Sequence, residues 1–430
     1  MKAAFYTLGC KVNQTESEYM AELLTKAGFE IVSPNEDADY YIINSCTVTA
    51  TADQKTRQNV RKFKRNHPDS AIILTGCMPQ AFPSDAEKLI EADIVLGNKN
   101  DGDILNLINR YNIEKERILA IDKHKTGDEF SKCSISKFSD RVRAFVKIED
   151  GCDRFCSYCI IPMSRGRVRS KSLSDLKEEI DNLAESGIKE IVLVGINLSA
   201  YGKNEDFNLV DAVRICAENE NIIRVRLGSL EPDHITEDIV FELSKIDKFC
   251  PQFHISLQSG CNRTLKNMNR HYSSDEYRQL CNLLRKTFKD TSITTDIMVG
   301  FNEETEEDFY DSLNFVKEIR FEKVHVFPYS QREGTNASKI GDSVSKKEKE
   351  HRAEIMINET ETIRKEYFNS LINKTVCVLF ENEAEKGIYQ GYTKNYIPVR
   401  LSYHKNIIGK EMNVVITDTT DEYCIATLQP

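Results

Sequence analysis

The chain has 430 residues, 40% of them apolar and 29% charged, with a formal net charge of -10. That length and balance suit several globular domains and exclude a small stapled protein, a low-complexity chain and a protein that coats nucleic acid along its whole surface. The thirteen cysteines cannot all pair within one chain, and no stretch has signal-peptide character or membrane-spanning length. A cytoplasmic, non-membrane protein is expected, with metal or redox use for some thiols.

From the start, apolar runs alternate with helix-period segments: AAFYTLG then SEYMAELLTKAG, YYIINS then ADQKTRQNVRKFKR, AIILTG then SDAEKLIEA, DIVLG then DGDILNLINRY. Fully apolar strands in that rhythm predict an open parallel α/β sheet covered on both faces, over residues 1–112. A polar, weakly periodic stretch, 113–137, reads as a linker. Over 138–370 the alternation resumes with RAFVKIE, EIVLVGIN, IIRVRLGSL, QFHISLQS, SITTDIMVG and KVHVFPYS as strands. These make a partial (β/α)6 barrel, closed by a long charged helix from Ser345 to Leu371. Over 371–430 the runs TVCVLFE, GIYQGYT, YIPVRLS, MNVVITD and YCIATLQ predict a small, OB-like β-barrel of a kind that commonly grips nucleic acid.

Cys10, Cys46 and Cys77 each follow one of the first strands, in TLGCK, INSCT and LTGCM. Ligands of open α/β sheets bind outside the carboxyl ends of the strands, so three thiols there should converge. Helices that begin just after them favour thiolate; unrelated buried thiols are the alternative. A second trio, Cys152, Cys156 and Cys159 in GCDRFCSYC, is spaced x3 then x2 directly after the first strand of the second domain, where barrel active sites are built. Soft thiolates serve zinc and iron-sulfur clusters equally. Zinc would need a fourth ligand such as Cys133 or a histidine, whereas three thiolates on a four-iron cluster leave one iron open. The remaining cysteines, Cys216, Cys250, Cys261, Cys281, Cys377 and Cys424, carry no metal spacing. No Walker loop, HExxH, serine elbow or GxGxxG after the first strand occurs, which weakens kinase, zinc-protease, esterase and dinucleotide readings.

The x3-then-x2 trio at the head of a β/α barrel is similar to the radical S-adenosylmethionine (SAM) superfamily. TLGCKVN, NSCTVT, TGCMPQ, GCDRFCSYCIIP followed by RGRVRS, LQSG and HVFPYSQREGT together resemble its methylthiotransferases, and GYTKNYIPV resembles their C-terminal TRAM domain. The resemblance covers nearly the whole chain and implies two 4Fe-4S clusters. Cys152, Cys156 and Cys159 would hold the catalytic one, whose free iron chelates S-adenosyl-L-methionine for cleavage to a 5'-deoxyadenosyl radical. Cys10, Cys46 and Cys77 would hold the auxiliary one, whose free iron carries the sulfur to be methylated and inserted. Tyr158 would pack on the adenine of S-adenosylmethionine, Gly195 and Asn197 would approach its amino group, and Ser229 and Glu231 its ribose or sulfonium.

The implied substrate is the tRNA anticodon stem-loop, with N6-threonylcarbamoyladenosine at tRNA position 37 converted to its 2-methylthio derivative. TLGCKVN and HVFPYS favour that branch over one acting on N6-isopentenyladenosine or on a ribosomal protein. A non-catalytic zinc-bearing RNA-binding protein is the alternative of another class. Arg165, Arg167 and Arg169 beside the barrel mouth, the basic helix after Cys46, and Lys394 and Tyr396 in the small barrel are the expected RNA contacts. A flavodoxin- or ferredoxin-like electron donor and a sulfur source complete the partners. Two departures stand near the mouth: Asn302-Glu303 where relatives usually have Pro-Gly, and Met163 where many have an aromatic.

Overall fold

A strand buried on both faces must be apolar along its whole length, and the two central strands of the first domain are buried at every residue. The computed structural model describes residues 1–131, 134–135 and 141–428. Its first domain runs β1 (Lys2–Thr7), α1 (Lys11–Lys26), β2 (Glu30–Val32), β3 (Tyr40–Ser45), α2 (Ala50–Asn66), β4 (Ala71–Gly76), α3 (Cys77–Ala81), α4 (Pro83–Glu87), β5 (Ile94–Leu96), α5 (Ile104–Glu114) and β6 (Ile118–Ala120). All pairings are parallel, in the order β2-β1-β3-β4-β5-β6. Separate apolar clusters cover the two faces, one around Ile42, Ile73 and Ile108, the other around Tyr41, Ile72 and Phe63.

The expected end at residue 112 is corrected: α5 continues to Glu114, and β6 pairs with β5 inside the segment read as linker. Strands β2 and β6 carry three residues each at the sheet edges. They are too short and too half-exposed for their periodicity to register.

The second domain runs β7 (Arg143–Lys147), β8 (Glu149–Asp150), α6 (Ile161–Arg165), β9 (Arg169–Ser170), α7 (Leu173–Glu185), β10 (Glu190–Val194), α8 (Leu209–Glu218), β11 (Arg224–Leu227), β12 (Ser229–Leu230) and α9 (Glu237–Ser244). It continues through β13 (Gln252–Ile255), α10 (Asn262–Asn267), α11 (Ser274–Thr287), β14 (Ser292–Val299), α12 (Glu306–Ile319), β15 (Lys323–Pro328), α13 (Asn336–Ile340) and α14 (Lys346–Asn369). Parallel strands β7, β10 and β11 form one sheet and β12 to β15 another, with a parallel bridge from Val225 to Phe249 between them. Among the described residues β7 and β15 do not pair, so the barrel stays open on one side. The predicted start of α14 is explained by Ser345, whose hydroxyl accepts from the Glu348 N–H. A closed barrel follows: β16 (Thr375–Glu385), β17 (Ile388–Thr393), β18 (Pro398–Ser402), β19 (Glu411–Thr419) and β20 (Cys424–Leu428), in the order β16-β17-β18-β20-β19.

Polar ties orient the first domain on the second. Glu16 of α1 is fully buried and accepts from Arg165 Nη1 and Nη2 at 2.6 and 3.0 Å and from Lys147 Nζ at 2.8 Å. Asp150 completes the network, 3.2 Å from Arg165 and 2.9 Å from Lys147. Burial by itself would raise the Glu16 carboxyl, but Arg165 and Lys147 outweigh it and hold the carboxyl below its usual range. Burial opposes Asp150 in the same way, and Lys147, Arg165 and Arg169 pull it down. Near Cys46, Arg332 bonds the Thr47 hydroxyl at 2.8 Å and pairs with Asp53.

The third domain is tied by two arginines. Arg224 donates to Glu411 at 2.6 Å and to the Tyr392 carbonyl at 2.7 Å. Arg226 spans Glu190 at 2.9 Å and the Lys394 carbonyl at 2.8 Å.

Glu16→Gln leaves the Arg165 charge buried with one partner fewer, and is expected to lower unfolding free energy by about 3–5 kcal/mol in denaturant titration. Because Glu16 and Asp150 are both held low, their contribution is complete above about pH 4.5 and is lost as pH falls further. The same titration repeated from pH 7 down to 3 should therefore show wild-type stability falling more steeply than that of Glu16→Gln.

Candidate functional site

Cys10, Cys46 and Cys77 stand after β1, β3 and β4, which are neighbours in the sheet. Gly9 lets the first two approach: its backbone is left-handed (φ 110), and a Cβ there would lie 2.9 Å from Cys46 Cβ. Asn13 joins the first and third thiols. Its Oδ1 accepts from the Cys10 thiol at 3.3 Å, and its Nδ2 donates to Asn44 Oδ1 at 3.1 Å and reaches Cys77 Sγ at 4.0 Å. Burial pushes the Cys77 thiol up to about 12, opposed by the Arg165 guanidinium. The three thiols thus stand at adjacent strand ends with Asn13 between the first and the third, and Arg165 is the cation that acts on Cys77. Sequence reasoning missed Asn13, although it lies one turn after Cys10 in TLGCKVN.

The second trio lies on a pinned loop. Ser157 donates through N to the Met268 carbonyl (2.9 Å) and through Oγ to the Asn267 carbonyl (2.8 Å), while Cys152 N donates to the Gly166 carbonyl (3.0 Å). Arg270 is the hub around it. Its Nη1 donates to Cys156 Sγ at 3.2 Å, Nε to the Tyr272 hydroxyl at 2.9 Å and Nη2 to the Ser256 carbonyl at 3.1 Å, and it pairs with Glu231. Burial raises the Cys152 and Cys159 thiols, the latter to about 12. Thiols held protonated in this way would release protons on taking a metal. Among the described residues no three His, Cys, Asp or Glu side chains converge on a single ion. A cubane cluster does not require that, because each thiolate binds a different iron. Cys133, considered as a fourth ligand, lies outside the described residues.

Beside this loop, two buried oxygens lack donors. Asn197 N donates to Glu149 Oε2 at 2.6 Å, leaving Glu149 Oε1 and Asn197 Oδ1 without partners. Burial raises the Glu149 carboxyl well above its usual value. Each is a buried oxygen free to take a hydrogen bond from a cationic amino group, which fits the amino end of S-adenosylmethionine. Gly195 permits the arrangement, since a Cβ there would stand 2.7 Å from Glu149 Oε2. Glu149 and Arg270 were not singled out from sequence; their role depends on strand ends meeting in space. Tyr158 packs edge-on to Phe301, ring centroids 6.1 Å apart, within an apolar group containing Met268, Met298 and Tyr329. Glu231 is engaged by Arg270 and lies 3.7 Å from Arg154, so it acts on the Cys156 side through a guanidinium. Ser229 is exposed at the wall of a cavity of about 1030 Å³ that also takes in Gly9, Cys10 and Gly195.

That cavity continues down the barrel interior past Phe145 and Arg226 to Tyr392, Tyr396 and Arg400 of the small barrel. Tyr392 and Tyr396 stack at 4.6 Å, with the Arg143 guanidinium 5.0 and 5.1 Å from their rings.

The expected RNA contacts divide. Arg165 is corrected: it is 0% exposed and spent on Glu16 and Asp150. Arg169 is also turned inward, bonding the carbonyls of Arg165 and Arg167 and pairing with Asp150. Arg167 is exposed, over the Phe155 ring at 4.6 Å. Lys394 ties the small barrel to the core by donating to the Asp247 carbonyl at 2.8 Å, whereas Tyr396 does line the cavity. On the helix after Cys46, Arg61 and Lys64 pair with Glu91 and Asp93, and Lys55 and Lys62 are exposed. The Asn302-Glu303 departure keeps a glycine-type turn: Glu303 is left-handed (φ 62), with its N–H on Ser343 Oγ at 2.7 Å.

Arg270→Gln is expected to cut metal affinity at the second trio by about 10–100-fold, read as iron retained per chain against a graded chelator. The first trio serves as the internal reference.

Two family models match the chain: Uncharacterized protein family UPF0004 over residues 2–97, and Radical SAM superfamily over residues 146–316. The chain is 36% identical over 419 residues to the threonylcarbamoyladenosine tRNA methylthiotransferase MtaB of Bacillus subtilis, covering 96% of this chain and 93% of the relative. The Thermotoga maritima protein of that name is 37% identical over 421 residues, covering 98% and 95%. A tRNA-2-methylthio-N(6)-dimethylallyladenosine synthase of Alkaliphilus oremlandii is 33% identical over 422 residues, covering 96% and 89%. Among solved structures, the radical S-adenosylmethionine methyltransferase TsrM of Kitasatospora setae matches with a TM-score of 0.57 at 13% identity, over 76% of this chain and 72% of that one. That likeness shows the fold.

Proposed function

Because the chain belongs to the radical S-adenosylmethionine methylthiotransferases that modify tRNA, we propose that it converts N6-threonylcarbamoyladenosine, beside the anticodon, to the 2-methylthio derivative. Two incomplete thiol trios, one of them opening directly on a cavity of nucleotide size, carry the reading. The enzyme is a transferase that uses 4Fe-4S clusters and S-adenosylmethionine. When bound, these groups supply the radical chemistry that adenine C2 demands, since its C–H has neither acidity nor a leaving group.

The chain's own work is holding and orienting. Cys152, Cys156 and Cys159 would hold one cluster, with Arg270 donating to the Cys156 sulfur. Cys10, Cys46 and Cys77 would hold the other, with Asn13 and the Arg165 charge at its edge. Glu149 Oε1 and Asn197 Oδ1 would accept the amino group of S-adenosylmethionine, and Gly195 would keep that approach clear. Tyr158 would pack its adenine, and Ser229 and Glu231 remain candidates for its ribose side. The cavity would take the target base out of its stack and shield it from water, at an unstacking cost lower in a loop than in a duplex. Tyr396, Arg167 and, on the helix after Cys46, Lys55 and Lys62 are the sequence-expected residues left to face RNA. A flavodoxin- or ferredoxin-like reductant and a sulfur donor would complete the reaction. Among the described residues no helix is long and apolar enough to cross a membrane.

Cys152→Ala is expected to abolish S-adenosylmethionine cleavage. Cys10→Ala should retain cleavage yet yield no methylthio product; equal behaviour in both assays would contradict the division of labour. Mass spectrometry of tRNA nucleosides from a strain lacking this protein and its relatives should show threonylcarbamoyladenosine without its methylthio form. Persistence of that form would remove the substrate assignment. Anaerobically purified protein should contain iron and acid-labile sulfide; two zinc ions and no sulfide would exclude the enzyme reading.

A further inference from the structure

One wall of the large cavity carries positive charge that the fold leaves unpaired. Lys323 opens β15 and His325 follows two residues later, so both side chains leave the same face of the strand. Arg364 reaches the same wall from α14, and all three line the cavity. Among the described residues neither Lys323 nor Arg364 has an ion-pair or hydrogen-bond partner, and Arg364 Nε is buried with no acceptor. The Arg364 guanidinium rests on the Phe368 ring at 4.8 Å, which fixes its position without neutralising it.

Among the described residues the nearby carboxylates act on these cations only from a distance and close no ion pair with Lys323 or Arg364. Glu322 lines the same cavity but its side chain is buried, and burial raises its carboxyl against the pull of Arg364 and Lys323. Glu422 lines the rim without pairing to either cation. Asp296 is directed to His254, 3.2 Å from Nε2, whose Nδ1 lies 2.9 Å from Thr294 Oγ1. Burial, and then the Arg364 charge, lower the Lys323 pKa against a smaller opposing pull from Glu322 and Glu422, so the two cations repel each other within one wall. Like charges held together in a partly desolvated wall are unfavourable until an anion arrives.

Any oxyanion of an RNA substrate, a phosphodiester or a carboxylate, suits such a wall. Depth discriminates between them. His325 and Lys323 precede the end of β15 at Pro328 by three and five residues, which at strand rise is ~10 and ~16 Å below the mouth. Both stay exposed to the cavity on the edge strand of the open barrel, where a base inserted from the mouth would bring its substituent while the sugar-phosphate strand would stay with the loop. We propose that Lys323, Arg364 and His325 form the subsite for the carboxylate of the amino-acid substituent on N6, with Asp296 and His254 as the polar partner for its hydroxyl. The subsite rests on the function proposed above and deepens it. It is what would separate this substrate from an adenosine with an uncharged N6 group, since a site with unpaired charge is penalised by a ligand that lacks the matching group.

The test is equilibrium binding, by fluorescence anisotropy, of the cluster-loaded full chain to two anticodon stem-loop RNAs. They differ only in carrying N6-threonylcarbamoyladenosine or plain adenosine beside the anticodon. Wild type should prefer the modified RNA. Lys323→Gln and Arg364→Gln should each weaken it by about tenfold and leave the unmodified RNA unchanged, which also reports intact folding. Arg364→Lys should keep most of the preference. Equal loss on both RNAs would assign the cations to phosphates and overturn the proposal, as would unchanged affinity for both. A wild-type chain that methylthiolates the modified RNA without preferring it in binding would overturn the subsite alone. Failure to form product from that RNA would overturn the function reading and the subsite with it.

Discussion

Arg165 cannot be buried without a carboxylate, and the carboxylate it meets, Glu16, belongs to another domain. This pair is the constraint on which the rest depends. An ion pair in a low-dielectric interior contributes little net stability, because desolvation offsets most of the attraction, yet a mispaired state leaves a charge stranded. Its effect is therefore on register: α1 must sit where Glu16 meets Arg165, Lys147 and Asp150 together. Helix α1 begins directly after Cys10, and α6, which ends at Arg165, begins two residues after Cys159. One buried network thus sets both thiol trios against a common frame, and the Arg165 charge reaches Cys77 as well.

The barrel interior follows from the same economy of charge. A complete parallel barrel packs its interior with branched apolar side chains. Here Arg143, Arg226, His254, Asp296 and His325 stand in the wall, and the strands stop short of closing. Such side chains need partners or water. Arg226 and Arg143 find theirs in Glu190 and Glu381 and in the tyrosine stack of the small barrel, which docks the third domain over the lower opening. What is left uncovered is a polar cavity with a thiol in one part of its lining and cations that close no ion pair in another. A base of modified RNA is chemically suited to both parts.

Particular residues show where sequence reading reached and where it stopped. The placement of Cys46 and Cys77 was legible because strand ends are legible: YYIINS and AIILTG are too apolar to be anything but central strands, so the cysteine after each had to sit at the carboxyl edge. Strand β6 was not, since three residues beside charged neighbours leave no period to detect. Arg165 was misplaced for a related reason. RGRVRS reads as a basic patch until the fold shows that its first arginine points into the domain interface while Arg167, two residues on, points to solvent.

By itself the sequence determined the central strands, the α/β rhythm that follows them and the closing β-rich stretch, because periodicity and turn chemistry are local properties. Only the tertiary structure decided which charges are buried in pairs and which stand unpaired in a cavity. Asn13, Glu149, Arg270, Lys323 and Arg364 have no local signature. Each matters through a neighbour far along the chain, and burial, which turns an ordinary polar side chain into a tie, a ligand support or a binding group, is a property of the packed whole.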